Sequence, residues 1–314
     1  MFFSYADNVI RRSRLFMPAN VRKFVDSAYL RNADTVILDL EDSVPESEKV
    51  ATRKLIRELI PIAGKGGSEV FIRINNTKEL LKGDLEASIW PGASGVYLPM
   101  VETGQEVEAV EQIIANLERS RGIPQGQIKI SIAVETVRGY LNVQEIAAAS
   151  SRCDALSLGN EDFALSSGME SSEKTATAWL MARMHILYAA RAYGKIPLLG
   201  SFTNFRDADA FENHAVLYYK HGYLGASCIH PDHVKTLNKT FSPGPEEIAH
   251  SQKVIDAFEK ALAVGRASAP LDGKMIDYVH YKIAKKICDR SEQIREFEQK
   301  KKKAREAAGG GART

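Results

Sequence analysis

Short apolar, β-branched runs recur along the chain with amphipathic stretches between them, a rhythm that predicts repeated βα units and a parallel sheet. The candidate strands are residues 14–17, 35–40, 70–75, 95–99, 128–135, 155–159, 196–199 and 225–229. Between strands, Val107, Val110, Ile114 and Leu117 fall on one helical face, while Glu106, Glu108, Glu111 and Glu118 lie largely off it. Residues 175–193 are apolar over much of a helical circumference and stop at Gly194, a helix terminator. Punctuation such as Gly64-Lys-Gly-Gly67 and Gly122-Ile-Pro124 falls between elements. Eight βα units in 314 residues favour an α/β fold of the closed (β/α)8 TIM barrel type over an open doubly wound sheet.

After the eighth run, Pro243-Gly-Pro245 interrupts the chain and residues 246–264 read as an added helix. A Gly/Ala/Ser/Pro-rich connection at 265–270 leads to a last helical stretch from about Asp277. The expected organisation is a barrel over 1–240, a helical extension over 241–298 and a disordered basic tail over 299–314. The tail expectation rests on Gln299-Lys-Lys-Lys-Lys-Ala-Arg305, which has no apolar face.

Composition narrows the class. Lys and Arg number 42 against 40 Asp and Glu, so no overall field recommends nucleic acid or an anionic membrane as partner. Cys153, Cys228 and Cys288 are odd in number and widely spaced, without a C-x-x-C pair, and read as reduced core residues. No basic segment followed by a long apolar stretch opens the chain, and no run reaches the roughly 18 apolar residues of a membrane span. The expectation is a soluble cytoplasmic protein. No Gly-rich phosphate loop, G-x-S-x-G elbow or H-E-x-x-H is present, which weakens nucleotide, serine-hydrolase and zinc-protease readings.

Candidate chemistry collects at the ends of the runs. Glu135 closes Ile128-Lys-Ile-Ser-Ile-Ala-Val-Glu135, and Asp162 follows Asp154-Ala-Leu-Ser-Leu-Gly159 by three residues. Carboxylates at the C-terminal ends of neighbouring barrel strands are placed to meet a ligand, and two of them suffice for Mg²⁺, which keeps several waters. Singly, each also reads as a helix cap or loop acid. Arg14, Asp39, Glu41, Asp42 and Arg73 are expected around the same mouth. Arg73, inside an apolar run, suits bidentate capture of a substrate carboxylate or, equally, pairing with a barrel acid. Asp39-Leu-Glu-Asp42 repels itself unless compensated, either by holding waters around a cation or by pairing with Arg14 and Arg73. His230-Pro231 at the eighth strand end is assigned no catalytic role.

Eight segments in order resemble the CitE-like branch of the HpcH/HpaI aldolase and citrate lyase superfamily. They are Arg12-Ser-Arg-Leu-Phe-Met-Pro18, Val36-Ile-Leu-Asp-Leu-Glu-Asp42, Ile72-Arg-Ile-Asn75, Val96-Tyr-Leu-Pro99, Val134-Glu-Thr-Val-Arg-Gly139, Gly159-Asn-Glu-Asp162, Cys228-Ile-His-Pro231 and Gly273-Lys-Met-Ile-Asp277. The resemblance implies a TIM barrel that binds Mg²⁺ and cleaves a 3-hydroxyacyl thioester to an acetyl thioester and a 2-oxo acid. It places the metal carboxylates on Glu135 and Asp162, the substrate arginine on Arg73, and an acid/base aspartate from a neighbouring subunit on Asp277. A trimer or hexamer is thereby implied. Citramalyl-CoA or malyl-CoA leads as substrate, and a citrate lyase β-type subunit acting on an acyl-carrier thioester is the alternative. From the residues alone, Asp277 also reads as the N-cap of the last helix. Met100 stands where the family usually has lysine and Ala19 where it usually has glycine, which keeps open altered substrate preference or a non-catalytic, ligand-binding relative.

Overall fold

The structure, a computed structural model, describes residues 5–204 and 206–309. Eight parallel strands form one sheet: β1 (Ser13–Pro18), β2 (Thr35–Asp39), β3 (Glu69–Arg73), β4 (Gly95–Leu98), β5 (Lys129–Val134), β6 (Cys153–Leu158), β7 (Ile196–Pro197) and β8 (Ala226–Cys228). They follow one another in sequence order from β1 to β7, with β8 beside β1. A parallel bridge between Leu199 and Ala226 joins the two ends of that series and closes the barrel. All eight expected runs are strands, each within a few residues of its expected bounds.

Alternation along each strand sorts two cores. Side chains such as Val36, Leu38, Ile72, Val96, Ile130 and Ile132 are buried under the surrounding helices, and each such aliphatic contributes about 1.5–3 kcal/mol by leaving water. Ile37, Phe71, Tyr97 and Ala133, with Phe16 packed on them, fill the interior. The helix Gly104–Ser120 buries Val107, Val110 and Ile114, as its periodicity predicts. Glu118 departs from that pattern. It is fully buried, because Arg152 Nη2 stands 2.6 Å from its Oε2 and the amides of Gly126 and Ile128 donate to it. The helix Ala176–Ala192 ends before Gly194, whose φ of 68° is left-handed.

The chain divides into two compact units, one of Met1–Phe241 with Lys301–Thr314, the other of Ser242–Lys300. In the second unit, the helix Pro245–Ala263 starts with proline at its first turn. The Gly/Ala/Ser/Pro-rich connection expected over 265–270 runs into an antiparallel hairpin of β9 (Ser268–Leu271) and β10 (Lys274–Asp277). Its turn is Asp272-Gly273, with φ of 49° and 76°, the left-handed pair that a two-residue hairpin loop demands. Val254, Ile255, Phe258, Ala269, Ile276 and Ala284 form this unit's core.

The tail expectation needs correction over its described part. Residues 299–307 lie in the helix Tyr278–Ala307. Within the barrel unit, Lys301 is fully buried, and its Nζ donates to Asp34 Oδ1 at 2.6 Å and to the Asn32 carbonyl at 2.9 Å. A basic run looks solvated when the acid that receives it lies far away in sequence. Residues 310–314 of that expected tail lie outside the described residues.

Candidate active site

Strand register brings the mouth together. Pro18 pairs with Asp39, Asp39 with Arg73, and Arg73 with Tyr97, so these residues stand at one level, at the ends of β1, β2 and β3 and one residue before the end of β4. Glu135 directly follows β5, and Asp162 lies in the first turn of the helix Asn160–Ser167 that follows β6. Asp39, Arg73, Tyr97, Glu135, Gly159 and Asp162 share one cavity of about 380 Å³. That is the C-terminal end of the barrel, where TIM-barrel chemistry takes place.

Glu135 is 6 % exposed, and its Oε2 accepts the Met100 amide at 2.9 Å. Burial pushes this carboxyl up to about 7; the Met100 hydrogen bond opposes that rise, and the charge of Asp162 adds to it. Met100 offers its amide from a left-handed backbone with φ of 55°, a conformation that costs a non-glycine residue roughly 1–2 kcal/mol. The residue that lacks the usual lysine charge thus supports Glu135 through its backbone.

Arg73 is saturated with acid. Its Nε and Nη2 grip Asp39 at 2.7 and 2.5 Å, and its Nη1 donates to Asp42 at 2.9 Å. Burial alone would raise Asp39, but the Arg73 hydrogen bonds outweigh it and hold the carboxyl below its usual range. Glu41 Oε2 approaches Arg73 Nη1 within 2.6 Å as an ion pair without a directed hydrogen bond. Burial therefore pushes Glu41 up to about 8 despite Arg73, with Asp42, Glu135 and Asp39 adding repulsion. The fork expected to take a substrate carboxylate is engaged by Asp39; Nη1 is the end shared with Asp42, whose side chain is 68 % exposed.

One expectation changes. Arg14 lies four residues before the end of β1, 2 % exposed in the barrel interior, where it donates to Ser131 and Ser227 at 2.8 Å each. It does not line the mouth cavity, because one strand holds interior side chains at successive levels. Asp277 belongs to the second unit and caps the last helix: its Oδ1 accepts the Val279 amide at 2.9 Å and meets His280 Nδ1 at 2.7 Å. The His280 hydrogen bond holds its carboxyl below the usual range rather than above it.

The donor set fits Mg²⁺. Among the described residues no three His, Cys, Asp or Glu converge as a ready-made cage. Two carboxylates leave positions for water and substrate, as this ion prefers. An interior-facing glutamate whose proton affinity is raised by burial and a neighbouring acid is also a group that a cation would relieve. The residues unmarked by sequence reasoning are Tyr97, whose strand alternation points it inward, and Asn160, whose partners are distant in sequence.

Known proteins are similar to this chain in sequence and fold. The model of the HpcH/HpaI aldolase/citrate lyase family matches residues 12–231. The citrate lyase subunit beta of Leuconostoc mesenteroides subsp. cremoris is 33% identical over 270 residues, 85% of this chain and 89% of that protein. The L-malyl-CoA/beta-methylmalyl-CoA lyase of Cereibacter sphaeroides is 29% identical over 305 residues, 90% of this chain and 95% of that protein. CitE of Mycobacterium tuberculosis, solved with magnesium, acetoacetate and coenzyme A, superposes with a TM-score of 0.73 at 26% identity, covering 91% of this chain and 99% of that one. No helix among the described residues is long and apolar enough to cross a membrane. The chain belongs to the HpcH/HpaI aldolase/citrate lyase family and is a lyase of that family.

Proposed function

We propose that this lyase is Mg²⁺-dependent and cleaves a 3-hydroxyacyl-CoA thioester to acetyl-CoA and a 2-oxo acid. The observation that carries the reading is the meeting of Glu135, Asp162 and Arg73 in one cavity at the C-terminal barrel mouth. Magnesium in the solved CitE structures supports the metal, and coenzyme A in one of them supports the thioester.

Glu135 and Asp162 would hold the ion, which supplies Lewis-acid stabilisation of charge on the hydroxyl and carboxylate oxygens. Arg73 Nη1, shared between Asp42 and Glu41, would reach the same carboxylate from the side that exposed Asp42 yields, with Glu41 still beside it and Asp39 keeping the guanidinium aimed. Asp39, Glu41 and Asp42 thus orient Arg73 and order water around the site. As the hydroxyl proton passes to solvent water, the O–H electrons form the C3 carbonyl, the C2–C3 electrons pass to the thioester enolate, and a protonated Asp277 would return a proton to C2.

Asp277 is proposed to act on the mouth of a neighbouring copy in a trimer or hexamer. In the single chain His280 favours its ionised form, the state required of a base in the condensation direction. Burial at a subunit interface would raise its proton affinity and equip it as the acid of cleavage. Met275, Tyr278, Val279 and Ile283, all more than half exposed beside it, offer the apolar surface for such a contact.

Assay of the isolated protein with free CoA thioesters and Mg²⁺ tests the reading. Release of acetyl-CoA, abolished by EDTA, is expected. Activity only with an acyl-carrier thioester would favour a citrate lyase β-type subunit, the name several relatives bear. Metal binding without any turnover would favour a non-catalytic relative.

A further inference from the structure

A second cavity, of about 750 Å³, abuts the mouth. Asn160, Glu161, Ser201 and Thr203 line both. Its distinguishing group is Arg183, half-buried on the helix Ala176–Ala192. Arg183 Nη1 donates to the Tyr218 hydroxyl at 2.9 Å and Nη2 to Asn160 Oδ1 at 3.1 Å. Its guanidinium lies 5.0 Å from the Trp179 ring centre and 5.2 Å from that of Tyr218. These contacts fix a planar cation and leave further N–H donors available.

Arg11, Arg12, Arg53, Arg73 and Arg152 each pair with a carboxylate. Arg183 pairs with none among the described residues, although Glu161 sits exposed on the shared rim. Arg14 also lacks an acid, but it is sealed inside the barrel at 2 % exposure. Arg183 is therefore a positioned charge facing open volume next to the proposed reaction centre; its direct partners are neutral polar and aromatic groups, and Glu161 is the acid on the cavity's rim. His214 adds no competing charge, since burial and Arg183 lower it to about 4. A planar guanidinium with spare donors is suited to a carboxylate.

We propose that this side cavity is an anion subsite in which Arg183 binds a second carboxylate carried by the oxo-acid half of the substrate. The inference rests on the thioester-cleavage reading and makes Arg183 a specificity-determining residue. The three acyl groups named by that chemistry differ at C3 only by hydrogen, methyl or carboxymethyl, in malyl, citramalyl and citryl thioesters. A cavity of this size and charge favours the carboxymethyl member. A site built to bind a charged group discriminates against the analogue lacking it far more strongly than an apolar pocket resolves a methyl.

The test measures kcat/KM for citryl-CoA and citramalyl-CoA in the wild type, Arg183→Met and Arg183→Lys. Wild type is expected to favour citryl-CoA; the citryl-to-citramalyl ratio is expected to fall at least tenfold in Arg183→Met and to recover in part in Arg183→Lys. A merely structural Arg183, acting through Asn160, would lower both substrates together; an unchanged ratio overturns the subsite. Equilibrium binding of oxaloacetate and pyruvate to the wild-type protein with Mg²⁺ stands independently of turnover and of variant folding. Tighter oxaloacetate binding supports the subsite, and equal or weaker binding overturns it. If neither of these thioesters nor malyl-CoA is cleaved, the functional reading fails, and this binding comparison still decides the subsite.

Discussion

Gly159 makes the room that Glu135 occupies: a Cβ placed on Gly159 would stand 2.3 Å from Glu135 Oε1. The backbone at Gly159 is extended, with φ of −81° and ψ of 114°, so only space forbids a side chain there. Gly159→Ala is expected to displace the Glu135 carboxylate and weaken Mg²⁺ binding at least tenfold with the circular dichroism unchanged. Calorimetric titration checks it, and wild-type affinity in the variant would sever Glu135 from the metal.

Glu41 links stability to pH in the metal-free protein. Its folded value of about 8 exceeds its ordinary 4.5. Its contribution is therefore fully present below about pH 4.5 and is lost as pH rises through 8. Glu41→Gln removes that loss. In EDTA, urea denaturation should find the variant about 1–3 kcal/mol more stable than wild type at pH 8.5 and nearly equal to it at pH 4.5. A variant less stable at pH 8.5 would show that the Arg73 ion pair outweighs the burial of Glu41.

Much of this site was legible in the sequence because register and alternation are local properties. Glu135, Asp39 and Arg73 end apolar runs, and parallel strands put run ends at one mouth. Arg14 misled for the same reason: it begins its run rather than ending it, and so lies in a deeper layer. The rest depends on partners remote in sequence. Glu118 is buried only because Arg152 arrives, and Lys301 only because Asp34 awaits it. Neither pairing leaves a periodic trace. The Asp272-Gly273 turn is a readable hairpin signal, but its flanking strands are four residues long with one buried residue each and carry little apolar pattern.

Lys301 closes a buried pair with Asp34, which Arg12 Nε also contacts at 2.8 Å. Lys301→Met leaves Asp34 without one of its two cations. Chemical denaturation should show a loss of about 3 kcal/mol, in the range for breaking a buried ion pair. A loss below about 0.5 kcal/mol, the ordinary surface value, would return this segment to the solvated tail its composition suggests.

Asp277 is proposed to serve a neighbouring copy, so complementation should reveal it. Asp277→Asn is expected to reduce kcat by 10²–10⁴ while Mg²⁺ affinity stays at the wild-type level. Mixed oligomers of Asp277→Asn with the equally inactive Glu135→Ala should regain activity, since some mouths then receive both intact groups. Mixing that restores nothing, in a confirmed hetero-oligomer, would place Asp277 outside the reaction.

The account stands most directly on Glu135 and Asp162 holding one divalent ion at the barrel mouth. Acetyl-CoA release should be followed against Mg²⁺ concentration for wild type, Glu135→Ala and Asp162→Ala, with bound metal measured in the same samples. Saturable Mg²⁺-dependent turnover in the wild type, lost at least a thousandfold in each variant together with the bound metal, is the predicted result. Turnover that persists in both variants, or in the wild type after complete metal removal, would contradict it.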